Sequence, residues 1–502
     1  MIYNMGLIKY SLLGLLSIGF WSCGSKKENK DWKSEIDGIF SSSSPKAIDL
    51  NDDGILDIVM GAGGKEWEES EIGIIALDGA NGAILWTAPC RNQIVGTAIF
   101  NDMNQDGTPD VIIGGRSAEL QVRNGKNGDL IWEFYSRKGK QASIQDGWYN
   151  FYNPQLVPDQ DKDGVADVLV CNGGDANIPA GIINRPPGML LLISGKTGKV
   201  IAKDLMPDMR ETYFSPIVLD TTANPRIVFG SGGETMNGHL YTCLLSDLLT
   251  NNLKGALVLD STEKSGYIAP PIAVDITNDG TNDLLFNTAE GVTKLLDGKT
   301  YETLWTVKRD SGQVYSQPAV GYFTGDDEVL DVFVNYAIGT YPIYKYTEQY
   351  MIDGKTGEVV YKNRIKRFIY SSPLVIDLNL DGKDEVVMNV VDDSLTAENK
   401  ARPFYELRIF DFNTNLTGFL GERRSGACFV STPWMGDLDG DGFLDVIYSG
   451  SPTIISEFPG YTTFQKPKDK LTIERMEFPE YAAKGVKWGS YMGVGTKSIY
   501  QK

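Results

Sequence analysis

The sequence predicts an all-β protein built as a single β-propeller of eight four-stranded blades. Three observations predict it. An acidic nine-residue loop recurs along the chain, a hairpin turn recurs between its copies, and the composition favours short strands. Of 502 residues, 55 are Gly, 24 Tyr and 20 Phe; glycine suits tight turns and aromatic residues suit pleated strands.

The loop reads D-x-[DN]-x-D-G-x-x-[DE], with oxygen-bearing side chains at positions one, three, five and nine. It stands as Asp49, Asn51, Asp53 and Asp57, then as Asp102, Asn104, Asp106 and Asp110, and then as Asp159, Asp161, Asp163 and Asp167. Further on it stands as Asp275, Thr277, Asp279 and Asp283, as Asp377, Asn379, Asp381 and Glu385, and as Asp437, Asp439, Asp441 and Asp445. Two decayed copies fill the gaps, one keeping Asp220 and the other Asp327 and Asp331, and the eight starts lie 48 to 61 residues apart. Pro45, Pro216, Pro271, Pro373 and Pro433 each stand four residues before a loop and mark the same register.

The hairpin falls between the loops. Leu77-Asp-Gly-Ala-Asn-Gly-Ala-Ile-Leu-Trp86 and Arg123-Asn-Gly-Lys-Asn-Gly-Asp-Leu-Ile-Trp132 are its fullest copies, and Ser194-Gly-Lys-Thr-Gly198, Asp297-Gly-Lys-Thr300 and Asp353-Gly-Lys-Thr-Gly357 repeat its turn. Each joins two apolar strands through Asn, Asp or Gly. One unit is therefore strand, loop, strand and hairpin, which makes four strands. Such a sheet cannot cover both of its faces, and stacking the sheets around an axis buries them. A length that suggests two or three domains becomes one propeller from residue 40 to residue 502. In the last unit an irregular stretch from Pro452 to Lys470 replaces the hairpin, and Leu471–Phe478 and Trp488–Met492 are expected to supply the missing strands. A seven-bladed ring with a decorated end is the alternative.

Charge narrows the function. The 66 acids against 47 bases give a formal net charge of -19, which argues against nucleic acid as a partner. The six fuller loops carry -20 between them, so the acidity is gathered at six turns. Oxygen ligands at positions one, three and five, a backbone carbonyl at seven and a carboxylate at nine wrap a hard cation of calcium size, with Gly at six for the sharp turn. An EF-hand is rejected because β-rich runs such as Ile58-Val-Met60 and Val111-Ile-Ile113 follow at once. A single histidine, His239, excludes His-rich zinc sites and bis-His haem. Cys90, Cys171, Cys243 and Cys428 show no C-x-x-C spacing and read as buried thiols, with a disulfide among them as the alternative that an exported chain permits.

Residues 1–22 have Lys9, an apolar stretch from Ser11 to Phe20, and then Trp21-Ser22 before Cys23. The stretch has the length of an export-signal core and is too short to span a bilayer. It resembles a bacterial lipoprotein leader, which implies cleavage after residue 22, lipidation of Cys23, a polar tether over residues 23–39, and a place at the outer membrane, on its periplasmic face or at the cell surface.

The acidic loops resemble the FG-GAP or VCBS-type repeats of integrin α-subunit propellers and their bacterial relatives. That resemblance implies calcium on the loop residues named above, up to about six ions. The D-G-K-T-G turns with a following Trp resemble quinoprotein (PQQ-type) propeller repeats. No adjacent Cys pair and no C-x-x-C-H motif is present, so neither quinone nor haem is expected.

Ligand candidates are sought where the chain departs from the repeat, because insertions in a propeller lie on its rims. Ser136 to Pro154 mixes Arg137 and Lys138 with Trp148, Tyr149 and Tyr152; Asp175 to Pro187 carries Arg185; Gly230 to His239 carries Glu234 and His239. Cations beside aromatics suit stacking on sugar rings or docking a protein, and the same aromatics also suit plugging the channel. The expectation is a lipid-anchored binding or assembly module for protein or glycan. A calcium-dependent lyase or hydrolase acting on acidic polysaccharide is the alternative.

Overall fold

The computed structural model describes residues 30–179, 181–324, 328–340, 343–365, 370–392, 404–414, 416–425, 430–450 and 470–501. The leader, Cys23, Asp327 and Cys428 lie outside them. Eight antiparallel sheets follow one another around an axis. Blade one runs outward as Lys46–Ile48, Asp57–Gly61, Ser70–Leu77 and Ile84–Cys90, and blade two as Ile99–Asn101, Asp110–Gly114, Leu120–Arg123 and Leu130–Glu133. In both, and in blades three and five, the second strand is buried along its whole length. A strand covered on both faces by neighbouring blades reads as a continuous apolar run, as Ile58-Val-Met60 does.

The last blade closes the ring in a way the sequence reading did not expect. Its strands are Trp434–Gly436, Phe443–Gly450 and Lys470–Ala482, and the outermost is Trp32–Asp37 from the start of the described chain, paired from Trp32 opposite Arg475 to Asp37 opposite Lys470. The expected boundary at residue 40 therefore falls after a strand of the propeller. Leu471–Phe478 forms part of a blade-eight strand as expected. Trp488–Met492 does not, because Val486–Trp488 pairs instead with Leu374–Ile376, the innermost strand of blade seven.

One contact repeats between blades. The indole N–H of Trp32 donates to Gly79 O at 2.8 Å, Trp86 to Gly125 O at 2.7 Å, Trp132 to Gly195 O at 2.6 Å and Trp305 to Gly354 O at 2.7 Å. Each Trp lies on an outer strand and docks on the hairpin turn of the next blade. The turn needs glycine on its far side: Gly82 has φ +72°, and a Cβ there would stand 2.4 Å from the Trp32 ring.

The innermost strands are tied by side chains across blades. Thr97 N–H donates to Asn153 Oδ1 (2.7 Å) and Asn153 Nδ2 to Ser215 Oγ (2.8 Å). Ser372 N–H donates to Thr432 Oγ1 and Thr432 N–H to Ser44 Oγ, both at 2.9 Å. Beyond Trp488 the tail crosses the channel. Lys46 Nζ donates to Ser490 Oγ, Tyr491 O and Gly493 O at 2.7–3.0 Å, Gln155 Nε2 to Thr496 O, and Gln317 Nε2 to Ser498 Oγ.

Candidate functional site: acidic loops and an axial pocket

The six fuller loops share one hydrogen-bond scheme. The first acid accepts the N–H of the loop glycine at 2.8–3.0 Å, as Asp49 does from Gly54 and Asp437 from Gly442. The glycines have φ between +83° and +93°. The fifth-position acid accepts the N–H two residues on, as Asp53 does from Ile55. The ninth-position acid is buried and ties the loop to the adjoining hairpin: Asp57 accepts from Leu50 N–H and Gly79 N–H, and Asp110, Asp167 and Asp283 repeat this on Gly125, Gly195 and Gly298. Asp331 keeps the first half of that role in a decayed loop by accepting from Thr324 N–H, which gives a structural reason for its survival. Burial pushes the carboxyls of Asp57 and Asp167 up to about 6 and that of Glu385 to about 7, against the pull of their backbone donors.

The donor set suits a hard cation, being all oxygen and anionic. In the third loop one oxygen each from Asp159, Asp161 and Asp167 lies within 4.8 Å of the others. In the loop of blade five Lys299 Nζ lies 2.9 Å from Asp279, and the loop of blade eight meets the chain's own cations at more of its acids. Arg475, 1% exposed, has Nη2 at 2.7 Å from Asp439 and Nε at 2.9 Å from Asp445, and Lys30 Nζ lies 2.6 Å from Asp439 and 3.0 Å from Asp441. Asp437, Asp439 and Asp445 also bring one oxygen each within 4.8 Å of one another, but Arg475 and Lys30 already occupy two of these acids, so an added metal ion competes there with the chain's own cations.

A cavity of about 540 Å³ opens on the axis, lined by Ser42, Val95, Tyr152, Tyr213, Ile268, Tyr315, Tyr370 and Val430, one from each blade, with Tyr491 of the tail among its walls. A larger cavity, about 820 Å³, is lined by innermost strands and other tail residues, Ser490 and Gly495–Lys497 among them, and is mainly apolar. The first cavity carries the charge. Arg185 Nη1 pairs with Glu211 at 2.9 Å and contacts the Tyr213 hydroxyl at 3.2 Å, while its Nη2 donates to Ile178 O and Pro179 O. Arg116 pairs with Glu66 at 2.7 Å, its guanidinium over the Trp67 ring. Burial pushes the carboxyls of Glu211 and Glu234 upward, and the arginines pull them back. Burial also holds the Tyr152, Tyr213 and Tyr315 phenols well above their ordinary value, with the charge of Glu234 adding to it.

Of the ligand candidates, Tyr152, Arg185 and Glu234 meet in this cavity. The others do not line it. Arg137 pairs with Asp146 and Lys138 with Glu69 on the surface. Trp148 packs edge-on against Phe134 beneath Lys203, and Tyr149 is buried. His239 sits on the third strand of blade four, with Nδ1 2.6 Å from Ser261 Oγ and its ring against Tyr241. Glu211, Tyr213, Tyr315, Tyr370 and Arg116 were missed. A register signal points to most of the aromatic wall: Ser42, Val95, Tyr152, Tyr213, Ile268, Tyr370 and Val430 each stand seven residues before the first acid of their loop, and all line the cavity.

Residues 65–374 match the family model of the FAM234A/B β-propeller. Protein FAM234B of Mus musculus is 21% identical over 417 residues, 76% of this chain and 62% of its own length. The Homo sapiens protein of the same name is 23% identical over 413 residues, 74% and 60%. This chain thus spans about three-fifths of the length of those relatives. Among solved structures, a quinohemoprotein alcohol dehydrogenase from Pseudomonas putida HK5 aligns with a TM-score of 0.51 at 12% identity, over 89% of this chain and 76% of that one. The expected likeness to quinoprotein propellers is met at the level of fold.

Proposed function

The chain belongs to the FAM234A/B β-propeller family, and from its loops, its leader and its axial pocket we propose that it is a calcium-binding propeller, exported and lipid-anchored at the outer membrane, that acts as a binding module for protein or glycan through that pocket. One observation carries the binding reading: eight blades each place a residue around one cavity, and the walls combine tyrosine rings with carboxylates and arginines. Such pockets, largely apolar with a few convergent polar groups, are where ligands bind. The calcium part rests on the shared loop scheme and its all-oxygen donors, for the five loops without an internal guanidinium. The anchor rests on Cys23 and the apolar stretch before it.

The test is binding of the purified chain to immobilised surface glycans and surface proteins, with the wild type set against Tyr213→Ala and Tyr370→Ala. Retention that both substitutions abolish supports the reading, and retention unchanged by them removes it.

A second reading, cleavage of acidic polysaccharide, has its own support. Glu211 and Glu234 share one pocket, and burial biases both toward the protonated form, as a general acid needs. Incubation with acidic polysaccharide while following unsaturated products separates the two. Turnover lost in Glu211→Gln and Glu234→Gln would replace binding with catalysis.

A further inference from the structure

The charges of the axial pocket do not balance. Each arginine there has a carboxylate of its own, Arg185 with Glu211 at 2.9 Å and Arg116 with Glu66 at 2.7 Å. Glu234 and Asp175 remain. Asp175 accepts the Asn177 N–H at 2.8 Å. Among the described residues the Glu234 carboxylate meets no cation at ion-pair distance and accepts only its own backbone N–H. Around it stand two tyrosine groups, Tyr152 with Tyr213 (ring centroids 5.8 Å apart) and Tyr315 with Tyr370 (5.4 Å). Its charge reaches Tyr152, Tyr213 and Tyr315.

A carboxylate without an ion-pair partner of its own, within the longer-range field of Arg116 and Arg185 and flanked by aromatic rings, selects for one ligand chemistry. Aromatic faces carry negative quadrupole density and attract an ammonium group, and the carboxylate supplies the opposite full charge. A carboxylate-bearing ligand would instead bring a second negative charge against Glu234 in a confined space. From the excess carboxylates and the tyrosines that flank them, we infer that the axial pocket takes an organic ammonium group, held by Glu234 between the two tyrosine pairs. The inference rests on the binding role proposed above and narrows its ligand class. The ammonium group can belong to a lysine side chain or to an amino sugar, and the two sources share this chemistry.

Binding should be linked to protons. Burial raises the Glu234 carboxyl above its ordinary value, so an arriving cation favours the ionised form, releases a proton, and binds more tightly as pH rises. The experiment is calorimetric titration of the full chain in calcium buffer with acetyl-lysine methylamide, glucosamine, galacturonate and glucose. Saturable binding of at least one ammonium probe is expected, about tenfold weaker on Glu234→Gln, unchanged on Asp129→Asn at an exposed hairpin turn, and weaker at acid pH. Lysine alone or glucosamine alone identifies the source. Tyr315→Leu, which removes one ring face and leaves every charge, is the second variant should Glu234→Gln lower the thermal midpoint. Ammonium binding that Asp129→Asn weakens as much as Glu234→Gln, or that neither pocket variant weakens, overturns the inference. Binding of galacturonate or glucose without ammonium binding overturns the ligand class and leaves the binding role standing. Silence of all four probes while glycan or protein retention still depends on Tyr213 does the same, whereas loss of that retention removes the binding role itself.

Discussion

Ring closure by the N-terminal strand can be tested by removing one indole. Trp32 is 9% exposed, packs among Ile36, Leu471 and Ile473, and donates to Gly79 O of blade one. Trp32→Ala empties that volume between the last blade and the first. A buried Trp→Ala change costs about 3–5 kcal/mol, and the Gly79 carbonyl keeps the 3.5 Å contact from Arg475 Nη1, so a loss of about 4 kcal/mol is expected. Trp86→Ala is the internal standard, since Trp86 makes the same contact on Gly125 between blades one and two. Urea unfolding followed by tryptophan fluorescence reads both. The two variants should fall by similar amounts. A Trp32→Ala protein within about 0.5 kcal/mol of wild type, beside a strongly weakened Trp86→Ala, would mean that residues 32–37 are a tether and that blade eight closes otherwise.

Three further outcomes follow. Lys46 is buried with only hydroxyl and carbonyl partners, and burial lowers its amine to about 7; the unfolded chain then binds a proton that the folded chain lacks between pH 7 and roughly 10.5, so stability should rise with pH there by at most about 1.4 kcal/mol per unit, and Lys46→Met should flatten that rise. On the proposed calcium reading, chelation should lower the thermal midpoint, since an ion held only by the folded state stabilises it, and calcium titration of the chelated protein should saturate at five ions, since Arg475 and Lys30 offset part of the charge of the blade-eight loop; six ions would contradict that assignment. Glu211→Gln leaves the Arg185 guanidinium, 6% exposed, without its charge partner, and should cost about 3 kcal/mol in chemical denaturation.

Much of the fold is legible because local chemistry repeats. Each loop glycine, ninth-position acid and hairpin Trp is fixed by its own backbone geometry, so Gly54, Asp57 and Trp86 announce one blade and predict the rest. Closure was not legible, because pairing Trp32 with Arg475 joins the two ends of the chain and no periodicity specifies the partner of an end strand. The destination of Val486–Trp488 was hidden for the same reason: a fifth strand at the inner edge of blade seven belongs to no repeat. In the pocket, Arg185 and Glu234 stood out as departures from the pattern, and Tyr152 because it closes an inserted segment rich in cations and aromatics. Tyr213 and Tyr370 did not, because they occupy a regular register position whose meaning appears only once the axis is known. Arg475 was invisible as a substitute cation, since it is 30 residues from Asp445 and reaches it only through the pairing of adjacent strands.

A binding role stands or falls with a ligand in the axial pocket. Saturation-transfer NMR tests it directly, with a set of mono- and disaccharides and acetylated amino-acid amides measured against the wild type and a Tyr213→Ala, Tyr370→Ala double variant of matched fold. Ligand signals are expected in the wild type and should vanish in the variant. Signals of equal strength in both proteins, or none in either, would contradict that role.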